Sequence, residues 1–280
     1  MLTTAQVDHY RTFGFVILRG YLTDRAAALR AEADAAIRDA YAATYDERAS
    51  DGISGHYLPM TSRLTPVSAS LVCDDPRFFD AARQLLGGPV LPECPEGVLY
   101  FAEAGWHPDD GIGVHGVKFA AYFDELTAAN GALRLIPGSC HPEQNARLAA
   151  YRDRQPPVRA DAEAADYQAS YPGHVAATVP GDVIAFDLHT WHASSGGRDR
   201  LAWTAVYLRA PGTGPERDRA LASLHDGFEQ AYRGFDRDRY PAWRDWLADA
   251  DAGAHPRRAA LIDLMRQAGV LDLPGALEGW

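Results

Sequence analysis

Residues 180–208, PGDVIAFDLHTWHASSGGRDRLAWTAVYL, carry the stretch on which the fold turns. Pro180 and Gly181 mark a turn, DVIAFDLHTWH reads as a strand, SSGG as a small-residue loop, and RLAWTAVYL as a second strand opened by an arginine. Along that second strand, period-two alternation sets Arg200, Ala202, Thr204 and Val206 on one face. An arginine on a face that is otherwise small and largely apolar needs an anion to balance it.

The same rhythm extends outward. GVLYFAEAG (97–105), GVKFAAYFDEL (116–126), GALRLIPGS (131–139) and HVAATV (174–179) read as short strands, separated by Gly, Pro, Asn and Asp. This spacing over residues 90–210 predicts a sandwich or barrel. Residues 142–172 interrupt it with a polar, acidic stretch too long for an ordinary connection, which predicts a partly helical insertion or lid. Upstream, residues 1–89 are mixed support. Helices are expected over 4–13, opening on Thr4, and over 23–44, capped by Thr23, with FVILRG as a strand between them. Residues 45–70 read as irregular, and DPRFFDAARQLLGG (75–88) as a helix closing on Gly87 and Gly88. From 211 to 280 the spacing is helical again, with Trp243, Trp246, Leu261, Leu264 and Met265 as packing residues. The chain therefore reads as a single catalytic domain, 1–280, mainly β with flanking helices.

Composition narrows the partners. A formal charge of −11, with no clustered Lys or Arg, disfavours nucleic acid and anionic membrane surfaces. No run reaches the length of a membrane span, and the first residues show no basic, then apolar, leader, so a cytoplasmic location is expected. Three cysteines, Cys73, Cys94 and Cys140, stand far apart with no C-x-x-C pair and read as reduced thiols. The expected partner is a small molecule, bound by a monomer or homodimer.

One short motif carries metal chemistry. In GWHPDDG (105–111), His107 and Asp109 are two residues apart, so an extended backbone turns an imidazole and a carboxylate to the same side. A histidine from a distant strand would complete a two-histidine, one-carboxylate facial triad, the iron(II) arrangement that leaves positions open. His189 and His192 are the rival candidates for it; His115 and His141 read as structural histidines. For a planar guanidinium that pairs with a carboxylate near the metal, Arg200 is the candidate and Arg198 the alternative. Lys118 shares the face of Ala120 and Tyr122 in GVKFAAYFD; it is either an anion contact in the pocket or a lysine snorkelling from the barrel edge.

Taken together, GFVILRGYLT (14–23), the WHPD motif, NGALRLIPGSCH (130–141) and PGDVIAFDLHTWHAS (180–194) ahead of Arg200 resemble the phytanoyl-CoA dioxygenase-like (PhyH) family of iron(II) and 2-oxoglutarate-dependent oxygenases. The resemblance spans roughly residues 5 to 210. It implies a double-stranded β-helix, a cupin-like jelly-roll barrel, with His107, Asp109 and His192 as iron ligands. By the same likeness Arg200, assisted by Ser194, grips the far carboxylate of 2-oxoglutarate, and small Ala120 stands where the family often carries a bulky aromatic. It further implies O2-dependent oxidation of a C–H bond, by hydroxylation or oxidative cyclisation, with release of succinate and CO2. A natural-product biosynthetic intermediate is the expected substrate. The competing class is a cupin-like hydrolase, isomerase or ligand-binding module, which has no general reason to keep an arginine after the third ligand.

Overall fold

The computed structural model describes residues 1–45, 55–101, 103–109, 114–152, 173–210, 212–230, 234–243 and 256–270. Two antiparallel sheets face each other across an internal cavity, the jelly-roll arrangement that the resemblance implies. The larger, of seven strands, runs β1 (Phe15–Leu18), β9 (Val183–Asp187), β6 (Gly116–Tyr122), β11 (Arg200–Arg209), β4 (Glu96–Tyr100) and β2 (Gly55–Pro59), with β3 (Val90–Pro92) also paired to β11. The smaller, of four, runs β5 (Ala104–His107), β10 (His192–Ser194), β7 (Leu133–Leu135) and β8 (His174–Ala176).

Alternation on the two central strands explains why both faces of the large sheet are covered. Val117, Phe119 and Ala121 of β6, with Leu201, Trp203, Ala205 and Tyr207 of β11, turn outward into the main hydrophobic core. Lys118, Ala120 and Tyr122, with Arg200 and Thr204, turn inward to the cavity, as the period-two reading requires. The outer face is roofed by α2 (Ala26–Ala40), α3 (Pro66–Cys73) and α4 (Pro76–Leu86), which bring Leu29, Ile37, Leu71 and Phe78 to that core. Phe78 lies 5.1 Å, ring to ring, from both Phe119 and Trp203, and the Trp203 indole donates to Ser68 Oγ at 2.7 Å. Burying each such ring contributes about 1.5–3 kcal/mol, which fastens the helices to the long sheet.

Several boundaries differ from expectation. Helix α1 (Thr4–Phe13) has the expected span, but its cap is Thr3, which forms a capping box with Gln6. The second helix starts at Ala26 rather than at residue 23. The Thr23 hydroxyl donates back to Gly20 O at 3.0 Å, and the Leu22 N–H is tied to Gly181 O, so the preceding turn consumes the supposed cap. It also ends early, at Ala40, where the chain turns and the Tyr41 hydroxyl donates to Tyr57 O. The stretch 45–70 holds β2 and α3 instead of being irregular throughout. These elements hide from pattern reading because β2 is a short, Gly- and Pro-bounded edge strand, and α3 is buried on most sides, without a polar stripe.

DVIAFDLHTWH is two strands in two sheets rather than one. Asp187 breaks it: its carboxylate accepts the His189 N–H at 2.9 Å, its carbonyl accepts the Thr190 N–H at 2.8 Å, and the chain crosses from the large sheet to the small one. GVLYFAEAG divides in the same way, into β4 and β5. The expected insertion opens with α5 (Pro142–Arg152), and its remainder, 153–172, lies outside the described residues. The tail contains α6 (Pro215–Gln230) and α7 (Pro256–Ala268); Trp243, Leu261 and Met265 are buried, Leu264 partly so, and Trp246 lies outside the described residues. Cys73, Cys94 and Cys140 are free thiols. Among the described residues no helix is long and apolar enough to cross a membrane.

Candidate metal centre

The small sheet joins two histidines from distant parts of the chain. His107 ends β5 and His192 opens β10, and the two are direct partners in the antiparallel register, with ring centroids 4.4 Å apart. Asp109 follows two residues later, its backbone N–H fixed on Leu188 O at 2.8 Å. Its Oδ1 lies 3.4 Å from His192 Nε2 and 3.9 Å from His107 Nε2. One ligand atom from each of the three lies within 4.8 Å of the others.

The rings are aimed. His107 Nδ1–H donates to Gly105 O at 2.6 Å and His192 Nδ1–H to Thr190 O at 2.9 Å, in each case a carbonyl two residues earlier. Those bonds set the tautomer and leave both Nε2 lone pairs turned toward Asp109. Burial, and after it the neighbouring His192, hold His107 below the usual imidazole range, so it is neutral near pH 7. Burial alone would raise the Asp109 carboxyl, but Lys118, then His192 and His107, hold it far below the usual carboxylate range. Lys118 Nζ sits 3.1 Å from Asp109 Oδ2. Although burial opposes the charge on Lys118, Asp109 and, less strongly, Tyr100 and Glu96 keep its ammonium protonated well above its ordinary range. Two imidazoles that present their Nε2 atoms and one ionised carboxylate, converging from one side, suit a divalent first-row metal such as iron(II).

His189 is not brought to this cluster. Its Nδ1 contacts Asp187 Oδ1 at 3.0 Å, its ring meets His115 edge-on at 5.6 Å, and it does not line the cavity. His141 instead reaches Thr12 O at 3.0 Å.

A cavity of about 510 Å³ extends from the cluster along the inner face of the long sheet. Arg200 lines it although only 4% of the residue is exposed. Its Nη2 donates to Ser194 Oγ and its Nη1 to Gly131 O, both at 3.0 Å, and the guanidinium lies 5.4 Å from the Tyr100 ring centre. Gly131, at φ +97, and Gly197 make this possible: a Cβ on either would stand 2.7 or 2.8 Å from Arg200 Cδ. Arg198 is exposed and does not line the cavity.

Sequence reading missed several lining residues. Glu96 and Tyr100 share the inner face of β4, and the alternation of EGVLY could have indicated them; Tyr57 lies on β2, the strand read as irregular. Thr204 donates to Glu96 Oε2 at 3.2 Å across the floor of the cavity.

A family model for phytanoyl-CoA dioxygenase (PhyH) matches residues 10–200. An ectoine dioxygenase of Bordetella parapertussis is 29% identical over 153 residues, which is 49% of each protein. The chain spans about half the length of the curated relatives it matches, or less. Among solved structures, the non-haem alpha-ketoglutarate-dependent epimerase SnoN from nogalamycin biosynthesis superposes with a TM-score of 0.55 at 19% identity, over 74% of this chain and 82% of that one. EctD from S. alaskensis, solved with 2-oxoglutarate and 5-hydroxyectoine, gives 0.53 at 24% identity, over 75% and 77%. At these identities the structural likeness speaks for the fold.

Proposed function

Because the chain belongs to the phytanoyl-CoA dioxygenase (PhyH) family, we propose that it is a non-haem iron(II), 2-oxoglutarate-dependent dioxygenase that oxidises a C–H bond of a small natural-product intermediate. The observation that carries this reading is the buried pairing of Arg200 with Ser194 in the same cavity as the His107, Asp109 and His192 cluster. A metal-binding module with hydrolytic or purely binding duties has no general use for a buried guanidinium in the same cavity as its ion. Iron(II) with 2-oxoglutarate and O2 supplies the oxidation itself, the co-substrate leaving as succinate and carbon dioxide.

The protein's part is placement. His107, Asp109 and His192 hold the ion from one side and leave the cavity side open. Arg200 meets the far carboxylate of the co-substrate with charge-assisted hydrogen bonds, its guanidinium held in plane by Ser194 and the Gly131 carbonyl. Lys118 adds a positive charge to the same wall. Tyr57, Tyr100, Tyr122 and Phe186 give the cavity aromatic sides, while Ala120 leaves room at its floor, which suits a compact polar ring better than a long acyl chain. The names of the relatives, an ectoine dioxygenase and an epimerase of nogalamycin biosynthesis, support a specialised metabolite as substrate. Hydroxylation or oxidative ring closure of that metabolite is the outcome we assign, within one catalytic domain.

The test is direct. Purified protein with iron(II) is expected to develop a visible charge-transfer band when 2-oxoglutarate is added without oxygen, and to form succinate when air and ascorbate are admitted. Absence of both the band and succinate across a broad metabolite panel sinks the reading.

A further inference from the structure

The three metal-facing side chains are oriented in two different ways. For His107 and His192 the partner is main chain, Gly105 O and Thr190 O, and a carbonyl survives any substitution of its residue that preserves the backbone. Asp109 is held by a side chain: Lys118 Nζ takes Oδ2 at 3.1 Å, while Oδ1 faces the two imidazoles at 3.4 and 3.9 Å. The carboxylate is thus divided, one oxygen for the lysine and one for the ion.

That division has a chemical consequence. A carboxylate whose two oxygens are both available can chelate a metal, and the second oxygen would occupy a position that co-substrate or oxygen requires. On the basis of the dioxygenase reading, we infer that Lys118 is a positioning residue for Asp109, engaging Oδ2 so that only Oδ1 is offered to the metal. The strand geometry separates this role from the carboxylate grip. Lys118 stands opposite Val206 on β11, whereas Tyr122 stands opposite Ala202 beside the Arg200 end. Four residues of β6 separate the two levels, roughly 13 Å along the strand. Phe186, the partner of Lys118 on β9, flanks it on the other side and also lines the cavity, 4.9 Å from the His192 ring centre. The lysine is therefore set at the metal end of the cavity and the arginine at the far end.

The test needs no turnover. Wild type, K118M, K118R and H107A are titrated with cobalt(II) in the absence of 2-oxoglutarate and followed by visible absorption, with thermal melts as the control for folding. Loss of a group that orients a ligand costs metal affinity by about 10- to 100-fold, and K118M is expected to fall in that range. K118R, which keeps the charge and the reach, is expected to recover most of the loss. If K118M proves unstable, K118Q serves with the same outcomes. The inference is overturned if K118M binds cobalt(II) as tightly as wild type or tighter, or if K118R is no better than K118M. In a second, anaerobic titration of the cobalt(II)-loaded proteins with 2-oxoglutarate, it is equally overturned if K118M loses affinity for 2-oxoglutarate while its cobalt(II) affinity is unchanged, which would make the lysine a co-substrate contact. Failure of the underlying reading looks different: wild type and H107A would then bind cobalt(II) alike.

Discussion

The two sheets do different work, and the contrast lies in their regularity. On the large sheet β6 and β11 run in unbroken register from Gly116 opposite Leu208 to Tyr122 opposite Ala202, backed by helices and a continuous aromatic layer. On the small sheet β10 is three residues long, and its pairing with β5 shifts between His192 and Ser194. The metal-facing histidines sit at that shift; the buried arginine opens the long strand. A ladder this short cannot hold ligands to tenths of an ångström. Local bonds do it instead: carbonyls two residues back, and the Asp187 turn that swings His189 away from His192. Rigidity is general on one side of the cavity and bespoke on the other.

The largest expected effect tests the bespoke side. His192→Ala should abolish cobalt(II) or iron(II) binding in a metal titration, while His189→Ala should leave it nearly intact; the reverse result would mean that the crossing at Asp187 is misassigned. On the general side, Phe78→Ala should cost about 3–5 kcal/mol of unfolding free energy in a denaturant titration. Metal affinity per folded molecule should not change, because Phe78 packs only on the outer face. If it does change, the two sides are not mechanically separate. Between them stands Arg200→Ala, expected to weaken 2-oxoglutarate binding by roughly 2–3 kcal/mol while the metal site stays intact, measured by anaerobic titration of the charge-transfer band.

The smallest effect belongs to the edge of the large sheet. Burial alone would raise the Asp182 carboxyl, but hydrogen bonds from the Gly20 N–H, Arg19 and the Val179 N–H outweigh it and lower its pKa below the ordinary value. Because the folded value is depressed, its contribution is fully present above the unfolded value of about 3.9 and is lost as pH falls through the folded one. Unfolding free energy measured across that acid range should fall in wild type. In Asp182→Asn it should start lower at neutral pH and change less.

The same contrast explains what could be read from the chain alone. GVKFAAYFD and RLAWTAVYL announce which residues share a face because regular strands turn period two into geometry, so the grouping of Lys118 with Ala120 and Tyr122, and the inward face of Arg200, are legible, and that shared face of the first strand lines the cavity. The jelly-roll and the set of His107, Asp109, His192, Ser194 and Arg200 follow from motif resemblance, and the structure brings the first three together and the last two into contact. Irregular pieces were less legible. Thr23 looked like a helix cap because capping depends on where the preceding turn ends, which composition does not fix. Tyr57 gives no signal because an edge strand bounded by Gly and Pro looks like a loop. That Lys118 would meet Asp109 rather than solvent depends on how two sheets stack, and no single strand carries that information.

The narrow channel through which Arg200 passes has a consequence for heredity. Gly131 and Gly197 are both buried and lie against each other, so a Cβ on either would stand 2.8 Å from the other's Cα as well as against the arginine stem. Scored for 2-oxoglutarate affinity, they should fail together with Arg200, since a single added methyl displaces its stem. The co-substrate grip thus depends on two positions that add no side chain to it, only room for the stem and, at Gly131, a carbonyl for Nη1.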